Sequence, residues 1–483
     1  MTEINIDLRE ASLFGNSASE DEEGEIFSSY AIRREEVNRF VSNEKICIIK
    51  TLKGCGKSAI LRIAKDELDK KGNITILLNL SDISQDYESS IPDAWVTKWK
   101  ESIYIRVAEE LGALNSIPLD RYESDIKKLA IKAGSRKQNF IDSLRSFLQS
   151  ISITSEMEGY STSVSIKNCD TVDQKALPNI ISKNLYKNVF IFIDDIDHNF
   201  VNTKETKASL VGFLTACRYI ANETPNIKFR LTLRPNSWKL IRVEYPSVNS
   251  HLAQYIIDMY WPHGEIKKLI QKRISGYLYR TFGKKLNENK ILELVFDEVL
   301  WDGNRCEATQ PIATYSKRRP RWAKDIFRLA ANRAASSGRK KISLEDINEA
   351  SKQIGDTIID EISAEFNCEC NIIGSFIRSF MGQKNSYTTD ELFNVIKNRI
   401  LSHIGSEYRL SVKDVAHLLF YCGFLYAREN YPSGQYKNYY FEEKPYLFTD
   451  HNNEHDKYRW EIDLIFRNVL QITSANSQKN KRR

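Results

Sequence analysis

A phosphate group needs inward-pointing backbone N–H groups, a cation and a helix that begins beneath it, and a phosphate-bound Mg²⁺ adds the need for a hydroxyl. The stretch Thr51, Leu52, Lys53, Gly54, Cys55, Gly56, Lys57, Ser58, Ala59 offers this set. Gly54 and Gly56 give the backbone its freedom, Lys57 is the cation, and Ser58 carries the hydroxyl. The pattern G-x-x-x-x-G-K-[ST] is met at every position but the first, where Thr51 stands for glycine. Glycine there eases a tight exit from a strand. Its replacement is expected to remove a convenience and none of the ligands.

A second stretch, VFIFIDDIDH, ends an apolar run in Asp194, Asp195 and Asp197. A carboxylate at the tip of a central strand is where a nucleotide-bound magnesium finds a ligand, a role that suits Asp194. Asp195 is then the candidate to orient and deprotonate an attacking water. Arg234 closes a third stretch, IKFRLTLR, with Thr232 on the same side because strand side chains alternate. Arg234 can contact a terminal phosphate there, or it can cap the sheet end with a carboxylate partner. In KRRPRWAKDIFRLA, Arg318, Arg319 and Arg321 cluster at a helix start marked by Pro320. Such a helix start can close over a nucleotide, and the same cluster can form a nucleic-acid patch.

The surrounding pattern supplies elements to position these groups. KICIIK reads as a buried strand, the stretch after Gly56 as an amphipathic helix, and NITILLNL as a second strand. The alternation predicts an α/β core with a parallel sheet. Further helices are expected in AWVTKWKESIYIRVAEELG and SRKQNFIDSLRSFLQSI, with an inserted loop or hairpin at about 152–173 and a weaker strand in AQYIIDMY. Residues 1–25 lack apolar periodicity and predict a loop-like acidic segment. The expected domains are a core at 26–240, a helical lid at 241–355 and a winged-helix-like domain at 356–483, with helices before a two-strand wing.

At 483 residues and 41% apolar composition, the chain has ample material for cores. No apolar run reaches the roughly 18 residues of a membrane span, and the acidic start argues against a signal peptide, so a cytoplasmic protein without membrane contact is expected. The eight cysteines lack the paired spacing of a zinc site, and reduced thiols are expected. His451, His455 and Asp456 read as loop residues and not as metal ligands. The net charge of +6 is small, but residues 301–350 hold eleven Lys/Arg against six Asp/Glu. That basic patch suits a phosphate-bearing partner or a solvated helix face. Aromatic and basic residues interleave from Tyr436 to Phe448, which suits nucleic acid, a protein interface or internal packing.

Taken in order, LKGCGKSA, FIFIDDID, LTLRPNSW and RRPRWAKDIFRLA resemble the ATPase module of the AAA+ and STAND superfamily, in particular its origin-recognition-like and KAP-like branches. The early LFGNSASEDEEGEIFSSYAI, with its FG-then-acidic pattern, is similar to that of a bacterial group of these ATPases. The resemblance implies ATP and Mg²⁺ as cofactors. Residues 51–59 would cradle the phosphates, with Lys57 and Ser58 on the triphosphate and metal. Asp194 would hold the metal, and Asp195 would be the catalytic acid in place of the commoner glutamate. Arg234 would be the first sensor, and Arg321 or Arg319 the second. It further implies slow hydrolysis, homo-oligomers, a DNA or effector-protein partner for the C-terminal domain, and a setting in anti-phage defence. A nucleotide-dependent scaffold without catalysis is the competing expectation.

Overall fold

The computed structural model describes residues 6–16, 21–83, 87–113, 187–301, 304–405, 408–449 and 454–473. The helix expected in SRKQNFIDSLRSFLQSI and the insertion at 152–173 lie outside the described residues. The chain divides into two compact units, Arg33–Met259 and Met1–Ile32 with Tyr260–Arg483.

In the first unit, strands β1 (Ile46–Lys50), β2 (Ile74–Leu78), β3 (Val189–Ile193), β4 (Ile227–Leu233) and β5 (Ile256–Asp258) form one parallel sheet in the order β2-β3-β4-β1-β5. This is an α/β core built on a parallel sheet. Strands β3 and β4 are buried at every position, which explains the unbroken apolar run of β3, whereas β4 alternates apolar residues with the buried Lys228, Arg230 and Thr232. The weak strand signal in AQYIIDMY is β5, a three-residue edge strand on β1, and it carries the unit past the expected boundary at 240 to Met259.

Helices Pro92–Ala113 and Lys204–Glu223 cover one side of the sheet through Trp95, Trp99, Phe213 and Leu214. Trp99 meets Phe213 edge-on at 5.3 Å, and Gly212 permits the approach, since a Cβ there would lie 2.4 Å from Trp95 Cβ. A side chain at 212 would force these helices apart.

In the second unit, helices His263–Phe282, Pro320–Ser336 and Leu344–Glu365 match the periodic stretches of the expected lid. The stretch NENKILELVFDEVL instead divides into a helix, Glu288–Val295, and β6 (Val299–Trp301), which pairs with β7 (Asn304–Cys306). Residues 6–16 are loop apart from one 3-10 turn, Ala11–Leu13, and a helix, Gly24–Tyr30, follows. They bury Leu8, Leu13, Phe14 and Phe27, and Phe14 packs edge-on against Phe327 at 4.9 Å. Isolated anchors of this kind leave no periodic signal.

Farther along, β8 (Ser386–Tyr387), β9 (Leu425–Asn430), β10 (Tyr436–Tyr439) and β11 (Arg459–Ile462) make an antiparallel sheet in the order β10-β9-β11-β8. The region expected to hold a two-strand wing thus belongs to a four-stranded sheet. Only Tyr436–Tyr439 of the tyrosine-rich stretch is strand, and RWEI, read together with the helical stretch after it, is β11. The helix Leu464–Val469 then starts at Asp463, whose carboxylate caps it.

Candidate functional site

The loop after β1 enters the helix Lys57–Lys70 through Gly56, whose φ of 89° is left-handed, and Gly54 has φ 78°. Only glycine takes such angles freely, so these two residues set the curl of the loop. Thr51 has no such φ. Its backbone N–H donates to Leu233 O at 3.2 Å, and its buried hydroxyl donates to Met259 O at 2.6 Å. The threonine therefore ties the exit of β1 to β4 and to the residue after β5. Its sequence reading as a lost convenience understates it, because the hydroxyl adds a bond across strands that glycine could not make.

Ser58 and Asp194 meet as the sequence suggests. The Ser58 hydroxyl donates to Asp194 Oδ2 at 2.5 Å. The other carboxylate oxygen accepts from the Thr232 hydroxyl and from the Asp195 N–H, the latter at 2.9 Å. Thr232, in turn, accepts from the Asp195 N–H at 2.7 Å, and its carbonyl accepts from Ile196 N–H at 3.1 Å. Thr232 is thus the brace that fixes the tip of β3 on β4. The alternation that put it beside Arg234 was legible, but its role was not.

Asp195 stands between two cations. Lys57 Nζ lies 2.7 Å from Oδ1 and Arg234 Nη2 lies 3.6 Å from Oδ2. The lysine contact is an ion pair by distance, without hydrogen-bond alignment. Burial by itself pushes the Asp195 carboxyl up, but Lys57 and then Arg234 outweigh it and hold the group below the usual carboxylate range. Its φ of 41° is unusual for a residue with a side chain and sets the turn that aims it. Lys57 is only 6% exposed, so its charge acts where water screens little.

Asp197 points back to the start of the next helix. Its Oδ2 accepts from the Arg234 N–H at 3.3 Å and from the Ser237 hydroxyl. Burial pushes its carboxyl up, against the Ser237 bond and the nearby Arg234 and Lys57. The loop of residues 51–59, the carboxylates of β3 and Arg234 of β4 therefore form one constellation at the ends of three strands. At these strand ends Ser58 meets Asp194 and Lys57 meets Asp195.

The two candidate second sensors lie in the other unit and differ from each other. Arg319 is buried, pairs with Glu365 at 2.8 Å and stacks over Trp322 at 4.3 Å. Its guanidinium is held by the unit's own core. Arg321 is half-buried, one residue into the helix Pro320–Ser336. Arg318 lies over the Tyr440 ring at 5.2 Å, and Lys317 pairs with Asp463 at 2.9 Å. Part of the basic cluster is thus used for internal packing.

The other sequence candidates stay outside this site. Among the described residues no group of His, Cys, Asp and Glu can hold a metal, and no helix is long and apolar enough to cross a membrane. His455 is buried against Phe393 and Phe448, so it is a core residue and not a loop one, and His451 lies outside the described residues. The described cysteines are free thiols.

No protein-family model and no curated protein matches the chain. Among solved structures it is similar to Cdc6p from Pyrobaculum aerophilum, at 12% identity, 97% of this chain, 99% of that one and a TM-score of 0.34. The Aeropyrum pernix ORC2 protein in its ADPNP–ADP complexes gives 11%, 91%, 94% and 0.39. AMPPCP-bound DnaA from Aquifex aeolicus gives 11%, 80%, 88% and 0.31. At such scores the likenesses carry no argument about what this chain binds or does.

Proposed function

We propose that the chain is an ATP-binding and ATP-hydrolysing switch ATPase of the AAA+ type. The observation that carries this reading is the meeting of Ser58 with Asp194 and of Lys57 with Asp195 at one end of a parallel sheet. Loop amides of residues 52–58 surround the phosphates, and Lys57 takes their outer oxygens. The all-oxygen pair of Ser58 and Asp194 fits Mg²⁺, a hard cation, and when bound Mg²⁺ neutralises phosphate charge. Lys57 and Arg234 already hold a carboxylate, and a triphosphate offers the same kind of oxygen with more charge. Competition for both cations releases Asp195 to orient water and accept its proton. Arg234 then stabilises the charge that grows on the terminal phosphate.

One feature favours a second reading, a scaffold that holds ATP without using it. Asp195 is depressed in basicity by two cations, which makes it a weak proton acceptor while they stay in place. Two variants separate the readings. Lys57→Ala should lose ATP binding and turnover together, and Asp195→Asn should keep binding while turnover falls by roughly 10²–10⁴-fold. Equal slow rates in wild type and Asp195→Asn favour the scaffold.

For output, the β9–β10 hairpin is the best-supported surface. It exposes Tyr431 and Tyr436, with Arg428 over Tyr436 at 3.8 Å and Lys437 over Tyr439 at 4.7 Å. Stacked aromatic and cationic groups suit DNA, and a tyrosine-rich effector-protein interface is the alternative. A defence setting rests on the sequence resemblance alone.

A further inference from the structure

The helix Pro235–Glu244 has an unusual start. Pro235, at its first position, has no N–H, and Arg234, the residue before it, sits in extended backbone with no side-chain cap of its own. The capping carboxylate comes from Asp197, 37 positions earlier, which takes the Arg234 N–H and the Ser237 hydroxyl on one oxygen. Asp197 is 2% exposed. Its other oxygen, Oδ1, is buried without a hydrogen-bond partner among the described residues, and so is Arg234 Nε. A neutral amide or hydroxyl could cap the helix at less desolvation cost than a buried acid with a spare oxygen. The backbone N–H that Asp197 holds is that of Arg234, whose side chain reaches Asp195.

We infer that Asp197 is a positioning residue for Arg234, fixing its backbone at the strand end so that Arg234 Nη2 stays aimed at the Lys57 and Asp195 pocket. This rests on the ATPase reading of that pocket. Asp197 touches neither phosphate nor water in this scheme and acts through Arg234. Misplacing a charge-stabilising group by about 1 Å can cost on the order of 10²-fold in rate. Loss of the Asp197 acceptor should therefore appear in kcat and not in ATP binding.

The test measures kcat, KM for ATP, affinity for a non-hydrolysed ATP analogue and melting temperature for five chains: wild type, Asp197→Asn, Asp197→Ala, Arg234→Ala and the double variant of the two alanine changes. Asp197→Asn keeps the size of the side chain and an acceptor for the Arg234 N–H, so its kcat should stay within about twofold of wild type. Asp197→Ala removes that acceptor, and its kcat should fall about ten- to hundredfold with analogue affinity and KM little changed. In the Arg234→Ala background the same change should cost almost nothing further, because the group it aims is gone. A folded Asp197→Ala with wild-type kcat, or an Asp197→Asn as slow as Asp197→Ala, overturns the inference. So does an equal, additive loss in the Arg234→Ala background. Failure of the underlying reading looks different: wild type itself then shows no turnover, and the inference falls with it.

Discussion

At the scale of single residues, the site is a balance between anions and cations whose order is set by burial. Asp195 and Asp197 are two positions apart, yet their carboxyl groups move in opposite directions. Asp195 gains two cationic partners that outweigh its desolvation, whereas Asp197 has the deeper burial and only hydroxyl and amide donors at hydrogen-bond distance. The consequences for stability have opposite signs. The depressed Asp195 contributes stability above the unfolded-chain carboxylate range near pH 4, and that contribution is lost as pH falls through its lower folded value. The raised Asp197 costs stability when ionised, and that cost disappears as pH falls through its higher folded value. Replacing Asp195 with Asn should therefore flatten acid destabilisation below about pH 4, and replacing Asp197 with Asn should raise stability near neutrality relative to its effect at pH 4. Denaturant titrations of both variants from pH 3 to 8 check this, and parallel curves for all chains would rule it out.

Thr51 gives a second test at this scale. Restoring the motif glycine by Thr51→Gly removes the hydroxyl bond to Met259, so it should destabilise the first unit by about 1–3 kcal/mol without improving ATP affinity. A tighter-binding, equally stable variant would show that the threonine is only a tolerated departure.

At the scale of elements, legibility followed periodicity. Strands β1 and β3 are short apolar runs, β4 alternates and the helix Lys57–Lys70 keeps a helical period, and all four fall where the sequence puts them. The loop and its acidic strand tip were legible for a related reason: Gly54, Gly56, Lys57 and Ser58 have a chemistry that few other structures need. Thr232 and Ser237 were not, because a hydroxyl in an apolar strand or a helix start has many uses and only the fold shows which group it meets. Likewise, the buried Arg319–Glu365 pair joins residues 46 positions apart, beyond any local pattern.

The start of the helix Leu344–Glu365 combines local and distant signals. Ser343 and Asp346 form a capping box that the sequence shows, and Arg339 adds an ion pair at 2.5 Å to the fully buried Asp346. Burial alone would raise the Asp346 carboxyl, but the Arg339 and Ser343 bonds bring it below its ordinary value. Ser343→Ala should cost about 1 kcal/mol. Asp346→Asn should cost more, about 1–3 kcal/mol, since it leaves Arg339 and the helix start short of an acceptor. Chemical denaturation followed in the far ultraviolet ranks the two, and the reverse order would mean that the hydroxyl and not the carboxylate organises this helix start.

At the scale of the whole molecule, two compact units mean that unfolding need not be one cooperative event, so a ligand is best followed by where it protects the chain. The groups of the proposed ATP site, Lys57, Ser58, Asp194, Asp195 and Arg234, all lie within Arg33–Met259. Binding to the native state alone at a free concentration of 100 times Kd stabilises by about 2.7 kcal/mol, close to a hundredfold slowing of exchange that requires opening of that unit. Amide hydrogen exchange with a slowly hydrolysed ATP analogue and Mg²⁺ should therefore slow strongly in β1, β3 and β4. The effect should vanish in Lys57→Ala, whose lost cation leaves the phosphate oxygens without their strongest partner, and should survive in Asp195→Asn, which removes a competitor for that same cation. If β1, β3 and β4 gain no more protection than β9 and β11, or if Lys57→Ala responds as wild type does, nucleotide is bound somewhere other than this loop.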